Sequence, residues 1–220
     1  MQLLIVNPNT SEGVTARIRA AANAVAQPGD TIVTVSAVSG PRLIVTEADA
    51  VEATAGVLTA VERHAEPVDG IVLASFGDTG AEAVRLAHPT IPVIGIAQAA
   101  CLAAQDIGGP FSIVTFTSDM MPSLKQMTIK NGAAKDLLEI ASVAAPLRHD
   151  AADVVDVLSD ELLSLCLECA ARGANSIVLG GGPLAGLAAR IQNACPVPVV
   201  DGTQAAVQHL RQHSVTLRLP

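Results

Sequence analysis

The chain has 220 residues, half of them hydrophobic, and a net charge of −8, enough apolar material to bury a core as one large domain or two of about 100 residues. With three Phe, no Trp and no Tyr, it lacks the aromatic faces on which single-stranded nucleic acid stacks. Its 13 Lys and Arg against 21 Asp and Glu argue equally against a nucleic-acid or anionic-membrane partner.

In chain order, short β-branched runs alternate with longer runs rich in Ala, Leu and Glu. The predicted strands lie near Leu3–Val6, Thr31–Ser36, Gly70–Ser75, Pro92–Gly95, Phe111–Thr115, Glu139–Val143, Ser176–Gly180 and Pro198–Val200. The predicted helices lie near Glu12–Val25, Glu47–His64, Ala81–Leu86, Ala97–Ile107, Met121–Asn131, Ala152–Arg172, Leu184–Gln192 and Thr203–Gln212. This alternation predicts an α/β fold with parallel sheet and helices on both faces. The apolar stretches are strand-length, so none is expected to span a bilayer. Met1–Pro8 lacks the basic start and long apolar run of a signal peptide and reads as the first strand. The expectation is a soluble, cytoplasmic protein.

The chain repeats itself. Pro92-Val93-Ile94-Gly95-Ile96-Ala97-Gln98-Ala99-Ala100 returns 106 residues later as Pro198-Val199-Val200-Asp201-Gly202-Thr203-Gln204-Ala205-Ala206. The same spacing carries Ile71–Ser75 onto Ile177–Gly181. A period near 100 residues is a duplicated unit, not a solenoid, whose periods run roughly 20–50. Two pseudo-symmetric open-sheet halves are expected, residues 1–98 and 99–204, with the last helix (about 205–220) packing back on the first half. The seam falls near Gly108-Gly109-Pro110, and the site in the cleft between the halves.

Ligands of open parallel sheets sit beyond the carboxyl ends of the strands. Here those ends carry Asn7–Ser11, Ser39-Gly40-Pro41, Ser75–Gly80, Thr115–Ser118 and Gly181–Leu184. Small and hydroxylated residues opening into helix starts favour an anionic group such as a carboxylate. Each is also an ordinary cap or turn residue, and it is the matching positions in both halves that favour a site. Asp78 and Asp201 both follow strands and fit a cap as well as a base.

Other motifs carry less. Gly180-Gly181-Gly182-Pro183 lacks the Lys-Ser/Thr of a phosphate loop and the spacing of a dinucleotide loop. No G-x-S-x-G elbow surrounds Ser75, and His64, His88, His149, His209 and His213 lie away from the predicted strand ends, so a Ser–His–Asp triad is poorly supported. Cys166 and Cys169 are i,i+3 neighbours in a helical segment without a second ligand pair, and read with Cys101 and Cys195 as structural thiols. No metal site is expected.

Asn7-Pro8-Asn9-Thr10, Gly40-Pro41, Ala74-Ser75-Phe76-Gly77-Asp78, Phe111–Thr115 and Gly173–Gly180 together resemble the aspartate/glutamate/hydantoin racemase superfamily, and within it the hydantoin and allantoin racemases. The resemblance implies cofactor-independent isomerase chemistry: two cysteines, one per half, remove and return an α-proton from opposite faces of a small carboxylate or cyclic ureide. It also implies a homo-oligomer. The family's cysteines fall on Ser75 and Gly181, so neither thiol is present. A thiol ionises near pH 8.5, whereas a serine hydroxyl needs an adjacent base to act as one. Two-base racemisation is therefore expected to be weak or absent. Asn9, Pro41, Phe76, Gly77, Asp78, Thr115, Phe116, Thr117, Gly182 and Pro183 are the expected binding residues. Gly181, without a side chain, is expected to enlarge the pocket on its face. Three readings follow: an inactivated racemase that still binds ligand, a same-fold decarboxylase, isomerase or lyase, and a non-catalytic binding protein.

Overall fold

The first strand, β1 (Gln2–Asn7), is buried on both faces from Leu3 onward. Continuous apolar runs of this kind are what a parallel sheet covered by helices requires. In the computed structural model, which describes residues 1–144, 147 and 149–216, β1 pairs in parallel with β2 (Thr31–Ser36) and β3 (Gly70–Leu73), and β3 with β4 (Val93–Gly95). A second sheet repeats the pattern. In it β5 (Phe111–Thr115) lies between β6 (Leu137–Ser142) and β7 (Ser176–Leu179), and β7 pairs with β8 (Val199–Asp201). The strand orders are β2-β1-β3-β4 and β6-β5-β7-β8, the same arrangement twice.

The helices are α1 (Glu12–Asn23), α2 (Glu47–Glu62), α3 (Ala81–Ala87), α4 (Ile96–Ile107), α5 (Met121–Lys130), α6 (Val154–Ala171), α7 (Leu187–Ile191) and α8 (Gly202–Thr216). Residues 217–220 of the expected last helix lie outside the described residues. Among the described residues no helix is long and apolar enough to cross a membrane. Ser11 caps α1, and Thr46 with Asp49 forms a capping box on α2.

One of the expected helices is broken. The run from Leu184 to Gln192 begins as a 3-10 turn (Gly182–Leu184) and then leaves helical geometry at Ala185. Gly186 adopts φ +86° before α7 starts. The cause is distant in sequence: Asp201 accepts the Gly186 N–H at 2.6 Å and fixes the break.

One apolar core runs from Leu3, Ile5 and Ile18 through α4 to Phe111, Leu162 and Val178, so it spans both sheets. A smaller core of Leu4, Val6, Val57, Ile71 and Val84 lies on the other face of the first sheet, under α2 and α3. The starts of α4 and α8 touch: a Cβ on Gly202 would lie 2.7 Å from the Ile96 carbonyl oxygen. α8 also meets the first sheet, with Leu210 against Gly70 and Arg211 reaching the Val25 carbonyl and Asp30. On the other side, Gly13 lets α1 approach Ala152, whose carbonyl takes the Arg17 Nε–H at 2.6 Å, and Arg42 pairs with Asp150 at 2.9 Å. The four cysteines are buried and free, and Cys166 and Cys169 sit side by side on α6.

Candidate active site

A cleft of about 980 Å³ opens where the strand ends of the two halves meet. The loops after β3 and β7 are in direct contact there, since a Cβ on Gly182 would lie 2.6 Å from the Ala74 carbonyl oxygen. Positions 75 and 181 are each one residue from that contact. The wall contains Asn9, the Ala74–Gly80 loop, Phe116, Gly182 and Pro183. Farther out it is made by Leu43–Glu47, α3, Met120 and α5.

Asn9 is positioned by a buried network. Its Oδ1 accepts from Asn7 Nδ2 and from the Ser11 N–H, both at 2.9 Å, while Asn7 Nδ2 also reaches Thr15 Oγ1 at 2.9 Å. Those bonds fix the amide with its oxygen inward, leaving Nδ2 as a donor without a partner among the described residues.

Ser75 sits at the tip of β3 with its Oγ accepting the Thr79 N–H at 3.1 Å, so its own proton is available to a ligand. Among the described residues, the backbone N–H groups of Phe76 and Gly77 have no internal acceptor. The hydroxyl of Thr79, a residue 5% exposed, has none either. A buried hydroxyl left unpaired costs about 1–3 kcal/mol, and a group so placed on a cleft wall is waiting for a partner. Thr79 is absent from the sequence-based set, although it stands in the same post-strand loop.

Asp78 lines the cleft, and its carboxylate is committed. It accepts the Ala97 N–H at 2.9 Å and the Gln98 N–H at 3.1 Å, capping α4. To reach them it adopts φ +47°, the one positive φ among described non-glycine residues. Gly95 leaves the room, since a Cβ there would lie 1.9 Å from Asp78 Oδ1. Burial pushes the Asp78 carboxyl up to about 6, against the two N–H bonds that favour its charge. Behind it, burial and the charge of Asp78 raise the Cys101 thiol to about 12, so that thiol stays protonated. None of the four cysteines and none of the five histidines lines the cleft.

Four expected residues stand off the cleft wall. Pro41 is drawn to the loop before α1, its carbonyl accepting the Thr10 N–H at 3.1 Å. Thr115 is buried and donates its hydroxyl proton to the Gly180 carbonyl at 2.7 Å. Thr117 turns inward to cap the 3-10 turn before α5, accepting the Asp119 N–H. Gly181 opens no extra space, because the Phe116 ring fills it: a Cβ on Gly181 would lie 2.7 Å from Phe116 Cε1.

The Asp/Glu/hydantoin racemase family profile matches residues 3–210. The chain belongs to that family. Hydantoin racemase of Paenarthrobacter aurescens is 33% identical over 214 residues, covering 94% of this chain and 88% of the relative. The structure of allantoin racemase from Klebsiella pneumoniae superposes with a TM-score of 0.90 at 33% identity, covering 100% of this chain and 89% of that one. Arylmalonate decarboxylase shares the racemase-family fold at 16% identity, with a TM-score of 0.65 over 97% of this chain and 92% of that one. The family is one of isomerases, and its fold of two parallel sheets places the cleft just described between them.

Proposed function

We propose that this racemase-family chain binds a small carboxylate or a cyclic ureide of the hydantoin or allantoin kind in the cleft between its halves. In this reading it moves the ligand's α-proton poorly or not at all. The carrying observation is a set of donors uncommitted among the described residues that belong to residues of one cleft wall: Asn9 Nδ2, Thr79 Oγ1 and the Phe76 and Gly77 N–H groups, in the loop that carries the Ser75 hydroxyl. Carboxylate or imide oxygens accept from such groups, and donors aimed at an oxygen that gains charge stabilise an enolate-like state.

Proton transfer is the weak step. By resemblance, Ser75 and Gly181 occupy the positions of the family's two cysteines, and neither supplies a thiol. The Thr79 N–H stabilises negative charge on Ser75 Oγ, but among the described residues no base is hydrogen-bonded to that hydroxyl, and the neighbouring Asp78 carboxylate is held at the start of α4. The same reading takes 1–98 and 99–204 as the two halves of a chain that needs no cofactor and assembles as a homo-oligomer in the cytoplasm.

The test combines calorimetric titration of 5-methylhydantoin, allantoin and phenylmalonate with loss of the α-proton signal of 5-methylhydantoin in deuterated buffer. Saturable binding, with exchange at least ~100-fold slower than in Ser75→Cys, is expected, since a missing base contributes on the order of 10²–10⁴-fold. No binding across the panel overturns the ligand class. Fast exchange that survives Ser75→Ala overturns the impaired chemistry.

A further inference from the structure

Phe116 follows β5, and its ring is completely buried. It forms a wall common to two cavities. On one side is the cleft, and on the other a space of about 580 Å³ within the second half, between the end of β6 and α6. That second space is lined by Ser142, Val143, Leu158 and Leu165 among others. The same ring stands against Gly181: a side chain there would begin 2.7 Å from Phe116 Cε1 and 3.4 Å from Cδ1. The approach is closer than carbon atoms tolerate, and the φ of +156° at Gly181 adds a backbone penalty for any larger residue.

We propose that Phe116 is the specificity-determining residue of the second-half face of the cleft. Its ring holds the volume into which a side chain at 181 would project, and it closes the cleft off from the second cavity. Two consequences follow. At position 181 and the ring beside it the ligand meets hydrocarbon, so the place of the second family cysteine offers no group that returns a proton. The substituent on the ligand is limited in size by the ring, and shrinking the ring joins the two spaces. The ligand part rests on the function proposed above, whereas the coupling of 116 to 181 does not.

The test therefore has two arms. The first is a double-mutant cycle on urea unfolding with Gly181→Ala, Phe116→Ala and their combination. Phe116→Leu replaces Phe116→Ala if the latter does not fold. The backbone penalty at 181 is common to both backgrounds and cancels. Gly181→Ala is expected to lower the unfolding midpoint markedly in the parent and far less once the ring is reduced, whereas additive effects overturn the proposal.

The second arm measures affinities for 5-methylhydantoin and 5-benzylhydantoin. The reduced ring is expected to shift their ratio about tenfold toward the benzyl compound, the scale on which apolar pockets discriminate size. An unchanged ratio in a folded variant overturns the sealing role. If the parent binds neither compound, the proposed function falls, and the unfolding cycle still decides the role of Phe116. A corollary is that Ser75→Cys with Gly181→Cys restores two-sided exchange only when Phe116 is also reduced.

Discussion

The starts of α4 and α8 are equivalent in the internal repeat, and each is held by a carboxylate, yet the two carboxylates arrive by different routes. In the first half the carboxylate belongs to Asp78, in the loop after β3, and Gly95 at the end of β4 makes room for it. In the second half it belongs to Asp201 at the end of β8, the repeat position of Gly95, while the repeat position of Asp78 is Leu184. Buried N–H groups at a helix start need an acceptor, so the fold dictates a carboxylate at that place but not which residue supplies it. The difference is functional. Asp201 ties α8 to Gly186, whereas Asp78 ties α4 to the loop that carries Ser75, Gly77 and Thr79.

Removing the second-half carboxylate is expected to have the largest effect on stability. Asp201 accepts from Gly186, Thr203 and Gln204, so Asp201→Ala leaves three donors, one buried and two half-buried, unpaired. Burial of the charge opposes part of that gain and raises the Asp201 pKa, so the expected loss is about 4 kcal/mol by urea unfolding. Ligand affinity should hold, because Asp201 is not on the cleft wall. Asp78→Ala orphans two donors and is expected to cost about 3 kcal/mol. It should also weaken ligand binding about tenfold, on the order of 1.4 kcal/mol, as the donor loop loses its anchor. Asp78→Leu with Gly95→Asp gives the first half the second-half arrangement. That pair should recover most of the stability and little of the affinity. Equal loss of affinity in Asp201→Ala and Asp78→Ala would erase the distinction between the halves.

Titration sharpens the same contrast. The folded pKa of Asp78 lies near 6, above its ordinary value of 3.8, chiefly because burial disfavours its charge. A native state that binds the extra proton is stabilised in acid. The contribution is fully present below about pH 3.8 and is lost as the pH rises through about 6. Across that interval this group should remove about 3 kcal/mol of stability, since each tenfold gain in proton affinity on folding is worth about 1.4 kcal/mol. Subtracting the Asp78→Asn curve from the parent curve isolates it from the other carboxylates. A difference that stays flat over that interval would show the group keeping its ordinary pKa.

Much of this architecture is legible in the sequence, because short β-branched runs alternating with Ala- and Leu-rich runs leave few alternatives to parallel sheet. The repeat places equivalent loops, and from these come Asn9, Ser75, Phe76, Gly77, Asp78, Phe116, Gly182 and Pro183 on the cleft wall. What sequence reasoning lacks is the direction of each side chain. Thr115 and Thr117 look like ligand contacts until packing turns their hydroxyls to Gly180 and Asp119. The 3-10 turn and gap before α7 depend on a bond from Gly186 to a residue 15 positions away. The filled space at Gly181 depends on a ring from a different strand end, which no local pattern announces.

The smallest effect on stability is expected at Thr79, where the shape of the side chain can be kept. Thr79→Val exchanges a buried hydroxyl without a partner for a methyl group, which should leave the protein as stable as before or about 1 kcal/mol more so. If the hydroxyl serves a ligand, the same change should weaken binding about fivefold, equivalent to one hydrogen bond of about 1 kcal/mol. Ser176 provides the internal control: its hydroxyl is also buried without a partner among the described residues, but it lies in β7, away from the cleft. Ser176→Ala should therefore match Thr79→Val in unfolding experiments and leave affinity unchanged. Two unpaired hydroxyls of equal structural cost would then differ only in what the cleft brings to them. If both variants bind as the parent does, Thr79 is a core residue like Ser176, and the donors around Ser75 reduce to Asn9 and the backbone.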